Sequence, residues 1–120
     1  ITLTGCAGVA DRDRAVLDVA RQFRAAIDAG DGEAACALLA PATRDALVRD
    51  AQAPCEDALL DEDLPPAGDH AEPAVFGTAA QVRSDTETLF LGLFDDGWRV
   101  TAAGCAAEGD RPYDCTVEGG

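Results

Sequence analysis

The chain has 120 residues and carries 23 acidic against 9 basic side chains, for a formal net charge of −14 and a pI near 4.1. That length is one domain, and that charge argues against nucleic acid as a partner and against electrostatic docking on anionic lipid. No run of 18 apolar residues occurs, so no segment reads as a membrane-spanning helix, and 25 of the hydrophobic residues are alanine, which limits the core to a modest one. All nine basic residues are arginine and methionine is absent. This is the residue usage of a GC-rich genome, in a chain expected to begin inside a longer reading frame.

Residues 1–6 end in Leu3-Thr4-Gly5-Cys6. This resembles the lipobox of bacterial lipoproteins: an aliphatic residue, a small one, glycine or alanine, then cysteine. The resemblance implies that 1–6 is the end of a signal peptide. It further implies a diacylglyceryl group on the Cys6 thiol and cleavage before Cys6. Small residues suit that position because a peptidase must reach the backbone beside the lipidated sulfur. Two acyl chains make a stable anchor where one does not.

Residues 7–12 read as a tether and 13–118 as a single domain. Apolar residues at Val16, Leu17, Ala20, Phe23 and Ile27 recur at spacings of three and four. They predict a helix from about Arg12 to Ala29, capped by Asp11 or Asp13 and stopped by Gly30. Asp31 is placed to cap a second helix near 33–40. Pro41 suits the first turn of a third, about 42–51. Pro54 opens a short fourth turn through Leu60.

Between 50 and 72 stand eight acids and no arginine, with Pro65, Pro66 and Gly68. The segment reads as a solvated acidic connection. It lacks the alternating acids and glycine of an EF-hand calcium loop. Beyond it the period changes to two. Residues 74–83 read as one strand with Phe76, Thr78, Ala80 and Val82 on one face. Residues 86–94 read as a second, 98–103 as a third after an Asp95-Asp96-Gly97 turn, and 115–118 as a short fourth. Helices followed by an antiparallel meander are the α+β class. In the second strand Leu89, Leu91 and Leu93 point one way and Phe90 and Phe94 the other. Both faces are therefore apolar, as expected for a sheet fully covered by its own helices, one curled around a pocket, or one carrying a homodimer interface.

This element order resembles the nuclear-transport-factor-two-like (cystatin-like) superfamily, as does Phe94-Asp95-Asp96-Gly97-Trp98-Arg99-Val100 at the sheet hairpin. The resemblance implies a cone-shaped fold, with N-terminal helices on a bent antiparallel sheet of about four strands. Leu38-Leu39-Ala40-Pro41-Ala42-Thr43-Arg44, Pro54-Cys55-Glu56-Asp57-Ala58-Leu59 and the stretches Gly104-Cys105 and Pro112-Tyr113-Asp114-Cys115 are similar to uncharacterised actinobacterial lipoproteins. Such membership implies no particular activity, since the superfamily holds both enzymes and binding modules.

Of five cysteines, Cys6 stands apart and four remain: Cys36, Cys55, Cys105 and Cys115. Four cysteines allow three pairings, and short loops close most readily, which favours Cys36–Cys55 and Cys105–Cys115. No Cys-x-x-Cys occurs and His70 is the single histidine, a poor basis for zinc or any other metal site. Disulfides are a feature of exported proteins.

A reaction is harder to find. Ser84 is the single serine, in an expected turn, and His70 lies in the acidic loop, with nothing to bring them together. Glu87 and Glu118 are the acids at strand ends, and no acid–base pair emerges. Phe23, Phe76, Leu89, Leu91 and Trp98 are candidates to line an apolar pocket. The expectation is a lipid-anchored extracytoplasmic module on the outer face of a bacterial cytoplasmic membrane. It is non-catalytic, needs no cofactor, and binds a small ligand or a protein partner. The alternative is a small-molecule enzyme with a carboxylate in the cone pocket.

Overall fold

In the computed structural model, which describes residues 7–65, 70–108 and 111–118, four helices precede five strands. The helices are α1 (Ala7–Asp28), α2 (Gly32–Ala37), α3 (Pro41–Ala51) and α4 (Cys55–Asp61). The strands are β1 (Ala71–Phe76), β2 (Ala79–Ser84), β3 (Thr88–Phe94), β4 (Gly97–Glu108) and β5 (Arg111–Glu118). They form one antiparallel sheet in the order β1-β2-β3-β4-β5. The fold is α+β, with the helices packed on this sheet. The lipobox stretch Leu3–Cys6, together with Pro66, Gly68, Asp69, Gly109 and Asp110, lies outside the described residues.

The segment 7–12, expected as a tether, is helical: α1 starts at Ala7. Ala7 and Ala10 favour helix, and Arg14 reaches Asp11 one turn earlier at 3.5 Å. Asp11 and Asp13 therefore lie within the helix and cap nothing. Residues 10–12 are exposed, and burial begins with Val16, Ala20 and Phe23. The far end closes as expected. Gly30 adopts φ +73, its N–H donates to Ile27 O at 3.0 Å, and Asp31 N–H donates to Ala26 O at 2.8 Å. This is a Schellman ending, which a residue without Cβ accommodates without strain.

Asp31 then caps α2, its Oδ1 accepting from Ala34 N–H at 3.1 Å. Pro41 opens α3. The helix α2 lies against α4, and their closest approach is at Gly32. A Cβ built there would stand 2.6 Å from the Glu56 carbonyl oxygen and 2.8 Å from its Cβ. Gly32→Ala is expected to cost about 1–3 kcal/mol by overpacking, although alanine is the better helix former by about 1 kcal/mol. Chemical denaturation of the two proteins measures the difference; equal midpoints would mean that α2 and α4 separate freely.

The strand expected over 74–83 is a hairpin. Gly77 takes φ +64, the chain reverses at Gly77-Thr78, and Leu93 N–H donates to Thr78 O at 2.9 Å. The reversal changes the facing. Ala80 and Val82 are buried, whereas Phe76 is 65% exposed. Period two runs unbroken through the turn, so alternation alone could not reveal it. The sheet gains a strand on this account and has five rather than about four. β4 and β5 are also longer than expected, because their pairing runs on through Cys105 and Cys115.

The core cluster joins Val16, Ala20 and Phe23 of α1, Leu39, Leu47 and Leu59 from the other helical segments, and Ala80, Val82, Leu89, Leu91, Trp98 and Val100 of the sheet. Two devices tie the helical layer to β4. Ala40 N–H donates to Val100 O and Val100 N–H to Leu38 O, both at 2.8 Å, so the α2–α3 connection adds one parallel bridge beside β4. The buried Thr43 hydroxyl donates to Thr101 O at 3.0 Å, which satisfies it away from water. Among the described residues no helix is long and apolar enough to cross a membrane.

Both short-loop cysteine pairs are joined. Cys36–Cys55 links α2 to α4 with Cα atoms 6.2 Å apart. Cys105–Cys115 links directly opposed residues of β4 and β5, with Cα atoms 3.9 Å apart.

Candidate functional site

Where α1 crosses the start of β1 and β3 and the end of β2, the two layers leave an open cleft of about 290 Å³. Ala20, Ala71, Val82 and Leu89 line its apolar part, and Arg21, Arg24, Asp28, Ser84 and Glu87 its polar part. Arg21 and Asp28 stand exposed at the rim, two turns apart on α1, with Arg24 between them.

Arg24 and Glu87 are both buried. Arg24 sits one turn beyond Ala20 on the buried side of α1, so its side chain enters the interlayer space. Its Nη1 lies 2.5 Å from Glu87 Oε2. Its Nη2 donates to the carbonyl of Pro65, beyond α4. Its Nε has no hydrogen-bond acceptor among the described residues, and the close Nη1–Oε2 approach is an ion pair in which neither atom makes a hydrogen bond. The other carboxylate oxygen, Glu87 Oε1, accepts from Gly104 N–H at 2.6 Å. Gly104 has φ +66, and a Cβ there would meet Leu64 and Thr116 at 2.8 Å, so only glycine presents its N–H to Glu87 in this way.

The backbone of Glu87 is held by the turn before it. Ser84 N–H donates to Glu87 O at 2.8 Å, and the Ser84 hydroxyl donates to the same oxygen at 3.0 Å. Ser84 Oγ in turn accepts from the N–H groups of Thr86 at 3.3 Å and Glu87 at 3.2 Å. The single serine is thus committed to the β2–β3 turn that aims Glu87 inward.

Burial pushes the Glu87 carboxyl above the ordinary carboxylate range, because the charged form loses its hydration. The Arg24 guanidinium and the Gly104 N–H pull it down, and Asp28 adds a smaller upward push. The net direction is upward. Arg24 neutralises the charge but only partly replaces the lost water.

Of the residues expected to line a pocket, Leu89 lines this cleft. Phe23, Leu91 and Trp98 lie in the core cluster, and Phe76 is exposed at the β1–β2 turn. The space between the helices and the sheet is therefore filled at those positions, and the open cleft sits to one side, against α1. The sequence reading does not single out Arg24 as a site residue, and it places Glu87 at a strand start without a partner. A signal existed: Ala20, Arg24 and Asp28 recur at a spacing of four, which carries the arginine down the edge of the apolar stripe.

His70 is exposed and stands 3.9 Å from the Glu72 carboxylate. Among the described residues no three His, Cys, Asp or Glu side chains converge as a metal site would require. No family model, no curated protein and no solved structure matches the chain.

Proposed function

We propose that this chain is a non-catalytic binding or interaction module, held at the outer face of a bacterial cytoplasmic membrane by a diacylglyceryl group on Cys6. The observation that carries the reading is the closure of two disulfides within one small acidic domain. Such bonds persist in oxidising, extracytoplasmic surroundings. They leave Cys6 as the odd cysteine, and lipidation of an odd cysteine removes a reactive thiol. Helices followed by a five-stranded meander are compatible with the nuclear-transport-factor-two-like lipoproteins that the sequence resembles. The cleft beside α1 is large enough to take a small molecule.

One observation favours the second reading, a small-molecule enzyme. Glu87 is a buried carboxyl with a raised pKa at a cleft, the setting of many general bases. Its Oε1 accepts from Gly104 N–H, while Oε2 is ion-paired with Arg24 but accepts no hydrogen bond among the described residues. A general base needs an oxygen within reach of a substrate proton, and the guanidinium of Arg24 stands against the one oxygen that is not hydrogen-bonded.

The test is the intact mass and a non-reducing peptide map of the protein recovered from membranes of a GC-rich Gram-positive host expressing the full gene. The expected result is a diacylglyceryl mass on Cys6, a chain that starts at Cys6, and Cys36–Cys55 and Cys105–Cys115 peptides. An unmodified Cys6 in the soluble fraction, with the other four thiols reduced, would overturn the reading and raise the enzyme in its place.

A further inference from the structure

The sheet is open, so it has two edge strands, β1 and β5. An edge strand directs the N–H and C=O of every second residue away from its one neighbour, and those groups are a template for another strand. β1 is blunted, because Pro73 within it has no N–H to offer. β5 has its proline, Pro112, near its start, and carries none over 114–118. Among the described residues the backbone of 114–118 makes no hydrogen bond beyond its pairing with β4. The Cys105–Cys115 bridge fixes this stretch to β4, so the edge is already held in the extended form that an added strand requires.

Beside this edge, between β5 and the last turns of α3, lies a groove of about 280 Å³. Leu47 of α3 and Val117 of β5 are buried along it, and Asp50, Glu62 and Glu118 supply its charged lining. No basic residue lines it; Arg49 precedes Asp50 on α3 but is not part of the wall. Asp114 is exposed further along β5. None of these four acids is ion-paired among the described residues.

We propose that the β5 edge takes up an extended basic segment of a partner protein, which pairs with 114–118 as a sixth strand; this rests on the reading of the chain as an interaction module and not on its lipid anchor. In strand addition the backbone supplies affinity and the flanking side chains select the partner. Every second residue of the added strand lies on the groove side. There an arginine or lysine stem packs over Leu47 and Val117 while its charged head reaches Asp50 or Glu62. A second copy of the chain is the wrong occupant. Antiparallel pairing of two β5 edges about Thr116 would oppose Asp114 to Glu118 on both sides, like charges face to face. The net charge of −14 adds to that repulsion and favours a cationic partner.

Peptide titration followed by nuclear magnetic resonance tests it, on the 120-residue chain with both disulfides closed and Cys6→Ser to prevent thiol bridging. The probe is a peptide of about nine residues alternating arginine and valine. Two twins carry N-methyl groups on the arginines or on the valines, which removes the N–H donors of one edge each and leaves every charge in place. Micromolar binding is expected, with shifts and slowed amide exchange over 114–118, and it should weaken several-fold as salt is raised. At least one twin should bind about tenfold more weakly or worse. Asp50→Asn/Glu118→Gln should weaken the parent peptide about tenfold, with the melting temperature within a few degrees because both acids are exposed. Both twins binding as tightly as the parent would reduce the contact to charge alone and overturn the proposal. Shifts confined to β1 or to the α1 cleft would overturn it too. So would an absence of binding at millimolar peptide, a result that leaves the mass-spectrometric test of the anchored module untouched.

Discussion

Arg24→Met is expected to cost about 3–5 kcal/mol of folding stability at neutral pH, because it leaves Glu87 as a buried charge without its partner. The cost should shrink on acidification. Glu87 already binds its proton more tightly in the folded chain than the ordinary value of 4.5 describes. In the parent, the Glu87 contribution to stability therefore falls as pH rises from about 4.5 through the raised pKa and is level above it. Without Arg24 the carboxyl rises further, and the variant loses stability over a wider window that extends toward neutrality. Below the ordinary carboxylate range Glu87 enters the fold uncharged in both proteins, and the cost of orphaning it vanishes.

The double variant Arg24→Met/Glu87→Leu separates the pair's own worth from the cost of orphaning one member. Arg24 Nε has no acceptor among the described residues, so the pair is incompletely satisfied. Replacing both groups by apolar ones is then expected to restore stability to within about 1 kcal/mol of the parent or above it. Urea denaturation at pH 4 and pH 7 for the parent, Arg24→Met, Glu87→Leu and the double variant closes the cycle. An Arg24→Met variant as stable as the parent at neutral pH would mean that Glu87 is solvated and the cleft open to its floor.

Removing the Cys36–Cys55 bridge as Cys36→Ala/Cys55→Ala is expected to cost about 3 kcal/mol, the loop-closure entropy for a separation of 19 residues. That lowers the melting midpoint by roughly 10–15 °C. Both cysteines are buried between α2 and α4, so the loss is felt where Gly32 meets Glu56. Removing Cys105–Cys115, with a separation of 10, is expected to cost slightly less. Its two residues are already opposed by strand pairing. Single domains of this size have about 5–15 kcal/mol in total. Full reduction should leave the chain near its unfolding midpoint at 37 °C, as circular dichroism with and without reductant would measure. A reduced protein that melts within a few degrees of the oxidised one would show that the core alone suffices.

What was legible in the sequence was local. Asp31, Pro41 and Gly30 mark helix ends through bonds that close within five residues, and the structure forms each as read. The change of period from helical to two announces the sheet, and short spacing picks out the cysteine pairs that the structure joins. What failed in the reading was also informative. Period two cannot register a reversal when the alternation continues through it, so it hides the Gly77 turn and an entire strand and puts Phe76 on the wrong face.

The tertiary structure alone decided the rest. Arg24, Pro65, Glu87 and Gly104 come from four separate segments, and their meeting depends on how α1 crosses the sheet. The apolar pattern of the helices and strands determined that the two layers would pack. The angle and register of that packing determined which polar groups were caught between them and which phenylalanines were left outside. Hydrophobic patterning specifies that a face is buried. It does not specify what it is buried against, because burial is non-directional and roughly proportional to area. Directional contacts such as Glu87 with Gly104 N–H exist only once that choice has been made.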